Sequence, residues 1–316
     1  MTFLIPFFFA TSIFAQPADA QPTDELIFRS TVTQVRVDAQ VVINGRPVAG
    51  LTKDDFVIYD EGAPQPLVYF GQEAEPVTVL LLLDVSGSMK RYLEQMGKTA
   101  RQALGQLKAQ DRAGVMVFSK GTQVFHAFSN RFPEAAREIE VAVLDARMPA
   151  GTAIHAALLD AAAEFQKDAS GRLGRRAVLM LTDGSGLNHL VTEDQAVRAL
   201  SAANVVVNAI VVGKTRSARF LPGSNPDFSP SDVFSVAERT GGEAVKAERA
   251  DQAFPEMLGR LRSRYSLAFA LPAAAKPGTF RQLRVELSAA AKQRYPKAQL
   301  RSRGGYEVGG VDETTK

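Results

Sequence analysis

The chain has 316 residues, of which 46% are hydrophobic, and its 37 basic and 34 acidic side chains give a formal net charge of +3. This composition is typical of a folded globular protein and excludes a disordered or low-complexity one. Cysteine is absent, which excludes disulfides, thiol catalysis and metal sites built on thiolates. Basic and acidic residues are mixed along the chain, so we expect no nucleic-acid partner, and three histidines are too few for a histidine-rich metal centre.

An almost wholly apolar stretch, residues 3–15, opens the chain, and Ala18, Asp19 and Ala20 follow it. The stretch is shorter than the roughly 20 residues that span a bilayer, and the small-x-small triplet suits signal peptidase. We therefore predict a signal peptide over residues 1–20 and a secreted or periplasmic protein, with no further transmembrane segment. The alternatives are an uncleaved anchor and a buried helix. The absence of Lys or Arg before the apolar run departs from the signal-peptide pattern, whereas Pro6 within the run opposes a buried helix.

Residues 27–75 have the pattern of β-strands. Apolar and polar residues alternate over residues 35–43, which predicts a half-buried strand. Asn44 and Gly45 follow directly and predict a tight hairpin, because both residue types tolerate a positive φ. Two shorter apolar runs, residues 56–59 and 67–70, complete this segment.

Residues 76–262 change character, because apolar strand-like runs now alternate with helical patterns. We predict strands at 77–83, 113–118, 123–125, 177–181, 205–212 and 244–246, and helices at 89–107, 133–145, 154–165, 194–203, 231–240 and 254–264. The first run, residues 77–83, is apolar apart from Thr78, as expected for a strand buried on both faces. Alternation of this kind predicts a mostly parallel sheet with helices on both faces.

Residues 265–308 return to a β pattern, with strands expected at 265–271, 283–287 and 298–302. Neither β-rich flank is long enough to bury a core by itself. We therefore predict that residues 27–75 and 265–308 pair into one small β-sandwich interrupted by the α/β unit. Residues 309–316 are polar and are expected to form a disordered tail.

Three oxygen-bearing residues follow the first buried strand at spacing i, i+2 and i+4: Asp84, Ser86 and Ser88. In open α/β sheets, ligands bind at the carboxyl ends of the strands. A carboxylate and two hydroxyls in one tight loop form an oxygen-only donor set, which suits a hard cation such as Mg²⁺. The alternative is that these residues cap the N-terminus of a helix, since Ser and Asp are common N-cap residues for that reason alone.

Two further oxygen-bearing residues are expected at the same edge of the sheet. Asp183 ends the later apolar strand, and Thr152 opens a predicted helix. Each has a structural alternative, since Asp183 could simply form a turn and Thr152 could be an N-cap. Five oxygen donors from three loops make a sharper pattern than any one of them alone.

These five residues, in this order, resemble the metal-ion-dependent adhesion site (MIDAS) of von Willebrand factor type A domains, and the resemblance covers residues 76–262. The flanking segments GLTKDDFVIYDEG and LRSRYSLAF with RGGYEV resemble a secreted bacterial von Willebrand A-related family catalogued in acidobacteria. The resemblance implies a Rossmann-like α/β domain inserted in the small β-sandwich. It also implies that Mg²⁺ or Mn²⁺ is bound directly by Ser86, Ser88 and Thr152, and partly through water by Asp84 and Asp183.

The same resemblance predicts a non-enzymatic, metal-dependent protein-binding module whose partner presents an Asp or Glu. Two carboxylates only just neutralise a divalent ion, and Mg²⁺ readily keeps an open position for an incoming oxygen. We expect an apolar rim at Met148, Pro149 and Ala150. A scaffold subunit that uses the sandwich for its contacts is an alternative. A metal-dependent hydrolase is disfavoured, because Ser86 lies outside a G-x-S-x-G motif and no base is apparent near it.

Other polar residues are assigned structural roles. His155 and His189 are expected to be hydrogen-bonded or solvated histidines. Arg172, Arg175 and Arg176 are expected to lie in a solvated loop. Asp54 and Asp55 are expected to cap a turn.

Overall fold

The computed structural model describes residues 33–72, 75–145, 151–168, 174–184, 186–188, 190–213, 229–246 and 250–309. The predicted signal segment, residues 310–316 of the predicted tail, and the apolar stretch 148–150 lie outside these ranges. Within the described ranges, no helix combines the length and the apolar character that crossing a bilayer requires.

Residues 33–72, the described part of the N-terminal flank, contain five strands. They are β1 Gln34–Ile43, β2 Arg46–Pro47, β3 Phe56–Asp60, β4 Ala63–Gln65 and β5 Leu67–Gly71. The predicted hairpin turn joins β1 to β2, with φ of 51° at Asn44 and 76° at Gly45. A short 3-10 helix, Lys53–Asp55, precedes β3. Asp55 accepts a hydrogen bond from the Thr52 N–H at 2.8 Å, which confirms that it caps a turn.

The central unit alternates strands with helices. Its strands are β6 Val77–Asp84, β7 Arg112–Phe118, β8 Thr122–Ser129, β9 Arg175–Thr182, β10 Leu187–Asn188, β11 Val205–Val211, β12 Ser229–Pro230 and β13 Glu243–Lys246. Its helices are α1 Leu93–Leu104, α2 Phe132–Asp145, α3 Ile154–Lys167, α4 Glu193–Ala202, α5 Val233–Arg239 and α6 Ala250–Arg262. The predicted helix over residues 89–107 is divided, since Gly87–Tyr92 form a 3-10 helix before α1.

Six of these strands form one sheet in the order β13-β11-β9-β6-β7-β8. All neighbouring strands are parallel except β7 and β8, which confirms the predicted mostly parallel sheet. One face packs against α1, α2 and α6, and the other packs against α3, α4 and α5. Because β6, β7 and β9 are parallel, the residues that follow them meet at one edge of the sheet.

The C-terminal flank adds β14 Tyr265–Ala270, β15 Phe280–Leu287, α7 Ala289–Arg294, β16 Gln299–Arg301 and β17 Gly305–Glu307. The sequence pattern does not predict α7. Two sheets result, in the orders β16-β1-β14-β5 and β17-β15-β3-β4. Each takes strands from both ends of the chain, and the flanks share one apolar core around Ile58, Tyr265 and Phe269. The predicted β-sandwich made from the two flanks is therefore confirmed.

The prediction that Arg175 and Arg176 belong to a solvated loop is wrong. Both lie in β9 and are only 1% and 7% exposed. The Arg175 guanidinium donates hydrogen bonds to the carbonyl oxygens of Arg262 at 2.9 Å and Arg264 at 2.6 Å. It thereby holds the connection between α6 and β14, and burial lowers its pKa. Arg172 lies outside the described residues.

Candidate metal centre

Asp84 lies at the centre of the candidate site, at the carboxyl end of β6, and its side chain is fully buried. Its Oδ1 accepts a hydrogen bond from the Ser86 N–H at 2.9 Å. Its Oδ2 accepts a hydrogen bond from the Thr182 hydroxyl at 2.6 Å. Both carboxylate oxygens are therefore fixed in direction by neighbours at the same sheet edge.

Ser86 and Ser88 approach each other in the loop that follows β6. Their Oγ atoms lie 3.2 Å apart, while Ser86 is buried and Ser88 is exposed. The loop is anchored to the neighbouring strand, since the Val85 N–H donates to the Phe118 carbonyl at 2.9 Å. The structure therefore brings two predicted hydroxyl donors together beside Asp84, with one of them open to solvent.

Asp183 follows β9, which pairs with β6 on the side opposite β7, and Asp183 is 9% exposed. It is close enough to Asp84 for its charge to act on that carboxyl group. Thr182 was not singled out by the sequence analysis. Besides binding Asp84, its Oγ accepts a hydrogen bond from the Gly184 N–H at 3.0 Å. A hydroxyl that directly follows the apolar run of residues 177–181, next to Asp183, is the signal that would have identified it.

Thr152 lies at the same edge, in the segment that leads into α3. The interpretation of Thr152 as the N-cap is wrong, because Ala153 is the N-cap and no side chain caps this helix. The Ala153 N–H donates to the carbonyl of Ser119, just after β7, at 2.7 Å. A Cβ added to Gly186 would lie 3.1 Å from the Thr152 carbonyl oxygen. Thr152 is thus held between the ends of β7 and β9.

The electrostatics of Asp84 fit a cation. Among the described residues, no Lys or Arg forms an ion pair with it. Burial raises the pKa of Asp84 to about 6, and the charge of Asp183 adds to this effect, while hydrogen bonds from Ser86 and Thr182 oppose it. A buried carboxylate without a counter-ion is unfavourable in its charged form. A divalent ion at this position would supply the missing charge.

The donor set is rich in hydroxyls. The described part of the chain contains no group of three or more His, Asp or Glu side chains arranged to hold a metal. Two carboxylates with hydroxyl oxygens are hard ligands, which favour Mg²⁺ or Mn²⁺ over softer ions. The candidate site is therefore an oxygen-only set of low negative charge.

The nearby histidines divide between the described and undescribed residues. His155 is 1% exposed, and its Nδ1 lies 3.3 Å from the Val191 carbonyl oxygen. Burial lowers the pKa of His155, which favours the neutral imidazole. These contacts agree with the predicted hydrogen-bonded role, and His189 lies outside the described residues.

A hydrogen-bonded Ser, His and Glu occur together elsewhere, between β8 and α2. His126 Nδ1 lies 2.7 Å from Glu138 Oε2, and His126 Nε2 lies 2.7 Å from Ser129 Oγ. The Ser129 hydroxyl also accepts a hydrogen bond from the Arg131 N–H at 3.0 Å. It therefore holds the turn that leads into α2, and the chain of side chains ties this helix to the edge strand. Sequence spacing gave no sign of this contact.

Residues 78–240 match the family model for the von Willebrand factor type A domain, and curated proteins give no match. Among solved structures, the chain is similar to an aerotolerance-related membrane protein from Bacteroides fragilis. The identity is 21% and the TM-score 0.47, over 58% of this chain and 98% of that one. It is also similar to a von Willebrand factor type A protein from Catenulispora acidiphila, with 14% identity and a TM-score of 0.46 over 90% and 76% of the two chains. A mussel byssus protein, proximal thread matrix protein 1 with a zinc-occupied MIDAS motif, shows 14% identity and a TM-score of 0.45 over 64% and 49%.

Proposed function

Because the chain belongs to the von Willebrand factor type A domain family, we propose that it is a metal-dependent protein-binding module of the bacterial cell envelope. A divalent ion at the carboxyl ends of β6 and β9 binds an Asp or Glu of a partner protein. The observation that carries this proposal is Asp84, a fully buried carboxylate without a Lys or Arg counter-ion among the described residues. A bound cation explains both its position and the absence of a basic partner.

Each predicted residue has a part in this proposal. Ser86, Ser88 and Thr152 hold Mg²⁺ or Mn²⁺ through their hydroxyl oxygens, and Asp84 and Asp183 hold it partly through water. The ion would act as a Lewis acid with room for one further oxygen ligand, the carboxylate of the partner. Thr182 fixes the orientation of Asp84 through the 2.6 Å hydrogen bond that it donates, and is thus a positioning residue for the ligand set.

The proposed location follows from the N-terminal sequence. Residues 1–20 act as a signal peptide, so that the mature chain begins near Gln21 and lies in the periplasm or outside the cell. N-terminal sequencing of protein recovered from the envelope fraction tests this proposal. A start near Gln21 supports it, and a retained Met1 supports a membrane anchor.

Calorimetry with Mn²⁺ tests the metal site. The wild type is expected to bind one ion, and Asp84→Ala is expected to lose this binding while keeping its circular dichroism spectrum. Asp54→Ala is the matched control, because Asp54 is an exposed carboxylate in the N-terminal flank. Unchanged Mn²⁺ affinity in Asp84→Ala would show that the site is assigned wrongly.

A scaffold role is the second candidate function, and one surface favours it. β5 is an edge strand of its sheet, and it exposes 47% of Val68 and 43% of Tyr69. Exposed apolar edge strands are sites of strand pairing with other chains. Capture of the natural partner in Mg²⁺ and again in EDTA separates the two functions. Loss with EDTA supports the metal-dependent module, and retention supports the scaffold.

A further inference from the structure

Lys120 lies in a tight turn at the rim of the candidate metal centre. The turn follows β7 and is closed by a hydrogen bond from the Ser119 N–H to the Gly121 carbonyl at 2.9 Å. The Ser119 carbonyl in turn accepts the 2.7 Å hydrogen bond from the Ala153 N–H. The backbone that carries Lys120 is therefore fixed directly beside the segment that carries Thr152.

Gly151 defines the contact more closely. Its φ is +127°, a conformation that favours glycine. A Cβ added there would lie 3.3 Å from the Lys120 Cβ and 3.7 Å from its Cγ. The stem of Lys120 thus passes over the residue just before Thr152, while Lys120 as a whole remains exposed.

Two more exposed cations follow the predicted ligand Ser88 closely in the chain. Lys90 and Arg91 belong to the 3-10 helix that begins directly after Ser86. Within the described part of the chain, no carboxylate forms an ion pair with Lys90, Arg91 or Lys120. We call these three residues the cationic rim.

The cationic rim matters because the metal centre itself is close to neutral. A divalent ion together with the carboxylates of Asp84 and Asp183 sums to no net charge, so it attracts an anion only at short range. Exposed cations around it attract acidic groups over a longer distance and speed encounter. A partner with one isolated carboxylate leaves these cations unpaired.

We propose that the partner segment carries two carboxylates, one that binds the metal ion and a second that pairs with Lys120. This inference rests on the proposed function and specifies its partner as an acidic peptide segment. Lys90 and Arg91 add to the attraction from the 3-10 helix that follows Ser86. In an extended segment, acidic residues two positions apart lie on the same face, about 7 Å from each other, which allows one to bind the ion while the other reaches the rim.

Two synthetic peptides test the inference on the full mature chain. Both are fluorescently labelled and carry the sequence Gly-Asp-Gly-X-Gly, with X as Glu in one and its neutral isostere Gln in the other. Anisotropy titrations in Mg²⁺ are expected to show roughly 1.5- to fivefold tighter binding of the Glu peptide, the range of an exposed ion pair. The advantage is expected to shrink as the ionic strength rises.

Lys120→Met is expected to remove this advantage and leave the affinity for the Gln peptide unchanged. Lys98→Met is the matched control, because Lys98 is an exposed lysine further along, in α1. Equal affinities of the two peptides for the wild type, or an advantage that survives in Lys120→Met, would overturn the inference. If EDTA still abolishes binding in those cases, the proposed function stands without it. If neither peptide binds in a Mg²⁺-dependent way, both are overturned.

Discussion

Asp84→Asn is expected to make the metal-free protein more stable at neutral pH. The wild-type carboxyl group has a pKa of about 6 in the folded protein against an ordinary value of 3.8. A difference of about two pH units corresponds to roughly 3 kcal/mol of unfolding free energy. At pH 7 the folded wild type bears this cost, because Asp84 is buried and ionised. The amide of Asn removes the charge.

One hydrogen bond offsets part of the gain. The Asn oxygen can still accept the Ser86 N–H, but its NH₂ group can only donate to the Thr182 hydroxyl, whose own proton then loses the hydrogen bond that it now makes to Asp84. Loss of that bond costs about 1 kcal/mol. The expected net increase in the free energy of unfolding is therefore about 2 kcal/mol at pH 7.

The sign of the pH dependence follows from the raised pKa. The contribution of Asp84 to wild-type stability is fully present below pH 3.8 and is lost as the pH rises through about 6. The advantage of Asp84→Asn over the wild type should consequently be largest at pH 7 and disappear near pH 4. Comparing the two proteins at each pH cancels the titration of carboxyl groups that they share.

Urea unfolding in EDTA, followed by far-ultraviolet circular dichroism because the chain lacks tryptophan, measures this difference. Asp54→Asn is the control and should not change stability. In Mg²⁺ the wild type should recover about 2.7 kcal/mol at an ion concentration 100 times its Kd, and Asp84→Asn should not. The reasoning is refuted if Asp84→Asn is no more stable than the wild type at pH 7 in EDTA, or if its advantage is the same at pH 4.5.

Three further predictions concern the framework of the site. Arg262→Met should cost roughly 3 kcal/mol in urea unfolding, because it leaves the fully buried Asp111 without its cation; a change below 1 kcal/mol would contradict a structural ion pair. Ser129→Ala should cost about 1 to 2 kcal/mol, since its hydroxyl contacts His126 and the Arg131 N–H, while calorimetric Mn²⁺ binding stays unchanged. A fragment of residues 76–262 should give a dispersed NMR spectrum and one of residues 27–75 should not, because the flank core needs strands from both ends of the chain; a folded N-terminal fragment would oppose this.

The agreement between sequence and structure is closest where local pattern decides the outcome. The apolar run at residues 77–83, which is interrupted by Thr78 alone, corresponds to β6, and β6 is buried along its length, as expected for a strand covered on both faces. The placement of Asp84 and Asp183 at one sheet edge follows from the same pattern, since parallel strands share the edge at which they end. Asn44 and Gly45 form the predicted turn, because Asn and Gly tolerate a positive φ whatever their tertiary surroundings.

The sequence alone therefore determined the alternation of strands and helices, the pairing of the two β-rich flanks, and the edge at which the candidate ligands meet. Only the tertiary structure decided which polar groups touch. Thr182 and Asp84 are 98 positions apart, and no periodicity relates them. Arg175 appeared to belong to a solvated loop because charge usually indicates exposure, yet inside the fold its guanidinium donates hydrogen bonds to the carbonyl groups of Arg262 and Arg264, and its Nε lies 3.9 Å from the carboxylate of Asp38. Local patterns report which residues prefer burial, whereas the partner that makes a buried charge tolerable comes from a distant part of the chain.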